Sequence, residues 1–376
     1  MKQVLASLFL VISINAFAQT ETKPAAEVFV DQKLNPVTPV KNQAMTGTCW
    51  CFSTTSLVES QCLKNSLGNF DLSEMFIVRN IYVEKAKNYV LSLGHAQFGE
   101  GGLGHDLIRA IDTYGAMPES AYSGLTAGKK MYNHTKMTAS LQQYLDSIIK
   151  KAPLQSDWLA GFAKIMDDEM GNVPEKFEYN GKEYTPLGFA RDVLKFNAAD
   201  YVNITSFTHK PYNQPFILQV PDNFSNGLYY NLPLKEMIDL TKSALKNNYS
   251  VMWDADVSNK GFMQGKGLAL LLNENVKHDK SNINASMGEE TWDADVRQKM
   301  YENLTTQDDH LMHIFGIEKS ADGKDFFVVK NSWGKVGPYE GNINVSEAYF
   351  AINTVSLVVP KAAFSKALLD KLKISK

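Results

Sequence analysis

The stretch from Cys49 to Leu67 contains neither proline nor glycine and stops at Gly68, which predicts a helix that begins on a cysteine. Thr46 or Thr48 is placed to cap it. All three cysteines of the 376-residue chain, Cys49, Cys51 and Cys62, fall on this helix. At about 1.5 Å of rise per residue, Cys51 and Cys62 are roughly 16 Å apart. A disulfide needs Cα atoms within about 7 Å, and helical neighbours two apart do not face each other. No internal disulfide is therefore expected.

Charge narrows the function classes. The 38 basic and 41 acidic side chains leave a formal charge of −3, so no broad positive field invites nucleic acid. A 44% hydrophobic share is enough for a substantial core. No apolar run reaches the length of a membrane-spanning helix. Lys2, the apolar run Val4 to Ile14 and Ala16-Phe17-Ala18 have the pattern of a secretory leader cut after Ala18. They predict a secreted or periplasmic protein whose folded unit is 19–376.

Along the chain, 71–93 reads as a second helix with Asp71 or Ser73 near its cap, and 105–115 as a third. A glycine-rich loop, Gly99-Glu100-Gly101-Gly102-Leu103-Gly104, separates them. Residues 125–170 read as a helical insertion, Asn180-Gly181 as a hairpin turn, and Leu234 to Lys246 as a helix. Strands are expected at 250–257, 310–318, 325–331, 341–345 and 354–359. Helices early and strands late suggest an α+β protein with two lobes. The expected division is a helical lobe over about 45–200, a β-rich lobe over about 19–44 and 201–360, and a basic tail at 361–376.

A thiol at a helix N-terminus is favoured as thiolate by the exposed N–H groups and the helix dipole. Cys49 occupies such a position, and Gln43, six residues earlier, carries an amide able to donate to an oxyanion. A thiol nucleophile needs an imidazole, which is found far along the chain. Asp308-Asp309-His310-Leu311-Met312-His313 offers His310 and His313. Asn331, in Lys330-Asn331-Ser332-Trp333-Gly334, can hold an imidazole in one tautomer, with Trp333 shielding the bond. The same Asp308, Asp309, His310 and His313 make a weak metal set, and neither a metal nor another cofactor is expected.

Val37-Thr38-Pro39-Val40-Lys41-Asn42-Gln43 with Gly47-Thr48-Cys49-Trp50-Cys51-Phe52-Ser53 resembles the nucleophile region of papain-like cysteine peptidases. Lys330 to Gly334 resembles their asparagine motif. The resemblance implies the papain-like two-lobed α+β fold, with Cys49 as nucleophile, His310 as general base, Asn331 as orienter and Gln43 as oxyanion donor. It also implies Gly101 and Gly102, with Trp333, at the peptide-binding cleft. Asp71-Leu72-Ser73-Glu74, Tyr114 to Pro118, Tyr184 to Ala190 and Val251 to Val257 are similar to the bleomycin hydrolase and aminopeptidase C branch. That branch implies peptide substrates, removal of N-terminal residues, a hexamer and a C-terminal arm in the cleft. The tail Leu368 to Lys376 is unlike the branch's usual ending, so an endopeptidase with an open cleft and a non-catalytic peptide binder stand as alternatives. Cys51 is read as core.

Overall fold

Residues 26–273, 279 and 282–375 are described in the computed structural model of this chain. The first helix, α1 (Cys49–Lys64), is buried on nearly every side from Cys49 to Ser60. Its small polar residues make that burial tolerable by bonding within the helix. Thr54 Oγ1 donates to Trp50 O at 2.7 Å and Ser53 Oγ to the same carbonyl at 3.2 Å. Glu59, almost fully buried, accepts from Thr38 Oγ1 at 2.5 Å and from the Leu72 N–H at 2.9 Å. Neither expected threonine caps the helix: Thr48 makes no side-chain cap, and the Thr46 hydroxyl donates back to Gln43 O.

Helices α2 (Glu74–Leu91) and α3 (Gly104–Tyr114) pack beside α1. Ser73 caps α2 by accepting from the Phe76 N–H at 3.1 Å. The insertion folds as α4 (Thr135–Ile148) and α5 (Trp158–Met170), which pack on each other through Leu141, Leu145, Phe162 and Met166. At Asn180-Gly181 both residues take positive φ, 50° and 74°, and the strands β2 (Phe177–Tyr179) and β3 (Lys182–Tyr184) pair across them. A seven-residue helix, α6 (Pro186–Asp192), follows, capped by Thr185 with Pro186 in its first turn.

The rest is organised by one large, mainly antiparallel sheet. Its centre consists of β7 (Val251–Ala255), β10 (His310–Lys319), β11 (Asp325–Lys330) and β13 (Thr354–Pro360), with β1 (Val30–Leu34) pairing on β10. Strands β4 (Tyr201–Thr205), β6 (Leu228–Asn231) and β5 (Pro215–Ile217) extend one side; β12 (Asn342–Ser346), β9 (Leu268–Ala269) and β8 (Phe262–Met263) extend the other. Alternation sends Met252, Leu311 and Val358 toward α1 and α3. Trp253, Met312 and Leu357 point the other way, under α7 (Leu234–Lys246) and α9 (Glu347–Asn353). Helix α8 (Ala294–Glu302) sits beside α9.

The tail folds as α10 (Lys366–Leu372). Leu369 and Leu372 are buried with Met237 and Trp253, and Lys371 pairs with Glu236 of α7 at 2.6 Å. Leu369 lines a shallow pocket together with Gln61 of the C-terminal end of α1 and Asn65, the residue after it. That puts α10 roughly 20 Å, most of a helix length, from Cys49.

Candidate active site

Cys49 opens α1 where the helix head abuts the start of β10, and its thiol meets the backbone N–H of Leu311, next to His310. Leu311 lies opposite Asp254 in the ladder between β10 and β7. Cys49, Cys51 and Cys62 are all free thiols, as expected. Cys51 lies in the core, its Sγ donating to Glu74 O at 3.3 Å.

His310 is 4% exposed and bonds through Nε2 to Asn331 Oδ1 at 2.7 Å. The Asn331 amide has a fixed sense. Its Oδ1 also accepts from the Ser332 N–H at 2.7 Å, and its Nδ2 donates to Gln264 Oε1 at 2.9 Å. Oδ1 is therefore the acceptor and His310 Nε2 carries the hydrogen, which leaves Nδ1 as the imidazole's free base. The Trp333 ring stacks on His310 with centroids 4.6 Å apart. Gln264 had no signal in the sequence: it is 67 residues from Asn331 and belongs to no recognisable motif.

Gln43 is held from two sides. Its Oε1 accepts from Ser332 Oγ at 2.6 Å and its Nε2 donates to Thr46 O at 2.7 Å, which leaves a second N–H on that nitrogen. The backbone beside it is fastened by the Gln43 N–H to Ser332 O, 2.8 Å, and by Lys41, which reaches Asp71 and Glu74 at 2.7 and 2.8 Å.

The glycine loop is tied to the head of α1. Trp50 Nε1 donates to Glu100 O at 2.9 Å, and Glu100 Oε2 accepts from the Gly47 N–H at 2.6 Å. A Cβ on Gly102 would lie 3.1 Å from the Trp50 ring, so the backbone rests directly on the indole. Gly101 O accepts from the buried Lys85 ammonium.

Charge at this place is governed by dryness. Burial pushes the Cys49 thiol up to about 12, against the Leu311 N–H, and the carboxylates of Asp308, Asp222 and Asp254 add to the rise. The helix-end lowering expected from sequence is thus outweighed by desolvation. Burial likewise pulls His310 down to about 4, against its bond to Asn331. A lone thiolate and a lone imidazolium are each disfavoured here, so a proton transferred between the two, which leaves the site neutral, is the route to charge separation. His313, the other sequence candidate, serves the core: its Nδ1 meets Ser56 Oγ of α1 at 2.8 Å, and Lys330 donates to the same hydroxyl at 2.9 Å. Among the described residues, no three His, Cys, Asp or Glu side chains gather as a metal site, and no helix is long and apolar enough to cross a membrane.

Comparisons with known proteins bear on the family and the fold. The family described as Peptidase C1-like matches residues 10–375. The chain is 23% identical to aminopeptidase C of Listeria monocytogenes, over 88% of this chain and 82% of that protein. It is 24% identical to bleomycin hydrolase of Rattus norvegicus, over 86% and 80%. Among solved structures, that of PepW from Lactobacillus rhamnosis superposes with a TM-score of 0.66 at 21% identity, over 93% of this chain and 85% of that one, and bears out the papain-like α+β fold.

One expectation is corrected. The secreted or periplasmic location read from residues 1–18 is overturned by the relatives: the chain is 24% identical, over 89% of its length and 77% of the relative, to a Saccharomyces cerevisiae protein named cysteine proteinase 1, mitochondrial. The family match also begins at residue 10, inside the segment read as a leader, and that segment lies outside the described residues. The chain belongs to the Peptidase C1-like family and is a cysteine peptidase of the branch that holds aminopeptidase C and bleomycin hydrolase.

Proposed function

We propose that Cys49 is the nucleophile of an aminopeptidase and that His310, Asn331 and Gln43 serve it. The observation that carries this reading is the 2.7 Å bond from His310 Nε2 to Asn331, with the Cys49 thiol one residue away at the Leu311 N–H. In this reading His310 Nδ1 takes the thiol proton, and the sulfur attacks the carbonyl of the first peptide bond. The Cys49 N–H and the free Gln43 N–H hold the oxyanion. The imidazolium returns its proton to the leaving amine, and water activated by the same nitrogen then releases the acyl group. Donors of this kind contribute about 3 kcal/mol to barrier lowering elsewhere. Gly101 and Gly102 offer backbone to the substrate as an added strand, and Trp333 keeps water from the His310–Asn331 bond. The helical lobe, about 45–200, and the β-rich lobe, about 19–44 and 201–360, form the two walls. A homo-oligomer, hexameric by resemblance, belongs to the same reading and is checked by light scattering.

The names of the relatives support removal of single N-terminal residues over internal cleavage. The test compares a fluorogenic aminoacyl amide bearing a free α-amine with its N-acetylated counterpart, in reductant. The reading expects hydrolysis of the first and little of the second. Equal cleavage of both would favour an endopeptidase, and cleavage of neither a peptide binder.

A further inference from the structure

Ser56, His313 and Lys330 take no part in the chemistry proposed above, yet they meet at one atom behind it. Ser56 lies on α1 seven residues after Cys49, which is two turns along the same face and about 10 Å away. Its Oγ accepts from Lys330 Nζ at 2.9 Å and lies 2.8 Å from His313 Nδ1. Lys330 immediately precedes Asn331, and His313 follows His310 on β10. Lys330 and His313 stand opposite each other in the ladder between β10 and β11. One hydroxyl therefore joins the helix of the nucleophile to the strand of the base and to the strand that leads into its orienter.

The hydrogens at this junction follow from the donors. An ammonium only donates, so Ser56 Oγ is its acceptor and the hydroxyl hydrogen is left for His313 Nδ1. Burial, and then the Lys330 charge, hold the His313 imidazole well below its ordinary range, so it stays neutral. Its Nε2 makes no hydrogen bond among the described residues, which leaves Ser56 as the ring's polar anchor. Lys330 donates again, to Thr38 Oγ1 at 3.0 Å, and Thr38 returns the tie to α1 through Glu59. All five side chains are buried. Apolar side chains could fill this space, but directional hydrogen bonds from a helix to two strands hold it in one register. The proton that leaves Cys49 for His310 crosses the same helix-to-strand junction, where a misplacement of about 1 Å can cost roughly 100-fold in rate.

We infer that Ser56, through His313 and Lys330, is a positioning residue that fixes the head of α1 against the strands of His310 and Asn331 and so sets the path of the proton from Cys49. This rests on the Cys49–His310 reading above and adds residues that touch neither substrate nor the reacting atoms.

The test compares the full chain as wild type, Ser56→Ala, His313→Leu and His313→Asn. Two quantities are read at pH 7: the rate constant for alkylation of Cys49 by iodoacetamide, and kcat and KM on whichever of the two amides above the wild type hydrolyses, with kcat divided by the Cys49 equivalents that label. Neither depends on the fraction of enzyme folded. Ser56→Ala and His313→Leu should each lower kcat and the alkylation rate constant roughly 10-fold with KM nearly unchanged. His313→Asn keeps an acceptor close to the place of Nδ1 and should recover most of both. If Ser56→Ala and His313→Leu keep both constants within about twofold of wild type, and lose only thermal stability, the junction is merely structural and the inference is overturned. It is overturned equally if His313→Asn is as slow as His313→Leu. A wild type whose Cys49 labels no faster than that of His310→Ala overturns the Cys49–His310 reading, and the inference with it.

Discussion

The His310 imidazole donates from Nε2 to Asn331 Oδ1 across 2.7 Å, and the Asn331 amide is itself held in that sense by Gln264 and the Ser332 N–H. The tautomer of His310 is thus set by a chain of hydrogen bonds that starts outside the catalytic motifs. Asn331→Ala should lower kcat for a free-amine substrate roughly 10- to 100-fold with little change in KM, because the ring loses its orientation. Gln264→Ala should give a smaller loss of the same kind, about 5-fold on the same scale. Steady-state kinetics on both variants check this, and a loss confined to KM would argue against an orienting role.

The Cys49 thiol depends on its partner for charge. Taken alone it is pushed up to about 12 by burial, with nearby carboxylates adding to the rise. A group raised in this way is protonated at neutral pH and ionises only as pH climbs toward that value. At pH 7 a thiol of that pKa is ionised in about one molecule in 10⁵. In His310→Ala, iodoacetamide should therefore label Cys49 slowly at pH 7, and the rate should climb steadily from pH 8 to pH 10. The unsubstituted protein should label fast across pH 6 to 8, where the imidazole accepts the proton. Similar rates in both proteins at pH 7 would show that His310 does not receive it.

Much of this site is legible in sequence because its motifs are local. Gln43 and Cys49 are six residues apart, and His310 and Asn331 sit on or beside neighbouring strands of one meander. Leu234–Lys246 matches its expected bounds, since its apolar positions repeat at helical spacing and no proline interrupts it. Other elements are hidden. The α9 residues, with Ala-Tyr-Phe-Ala-Ile at their centre, are buried all round and sit between two strands, so no amphipathic period marks them. Gln264 is hidden for a different reason: it is an ordinary polar residue at the start of a short 3-10 turn, and only the folded chain brings it to Asn331.

Gln43 is held by Ser332 and Thr46 with one N–H free. Gln43→Ala should reduce kcat about 100-fold or more, by removing a donor that strengthens only as the oxyanion forms. KM should hardly move. Circular dichroism should be unchanged, since Ser332 also bonds this segment through its backbone carbonyl. A change in KM alone would place Gln43 in ground-state binding.

Gly115 closes α3 at φ 84°, and a Cβ there would lie 2.1 Å from the Pro186 carbonyl carbon. Its neighbour Ala116 bonds Pro186 O at 3.1 Å, which joins α3 to α6. Gly115→Ala adds left-handed strain to a clash with backbone that has no room to move. Destabilisation of about 3 kcal/mol or more is expected in urea unfolding. Gly128→Ala, at φ 87° with open space around it, should cost only about 1 kcal/mol.

Peptide mapping of iodoacetamide adducts during inactivation tests the central claim most directly, because the chain has three thiols and only one opens the cleft helix. Loss of hydrolysis of the free-amine substrate should track one equivalent of label at Cys49, with Cys51 and Cys62 unlabelled in the folded protein, and Cys49→Ala should be inactive from the start. Full activity in Cys49→Ala, or hydrolysis that persists after Cys49 is fully alkylated, would contradict the account.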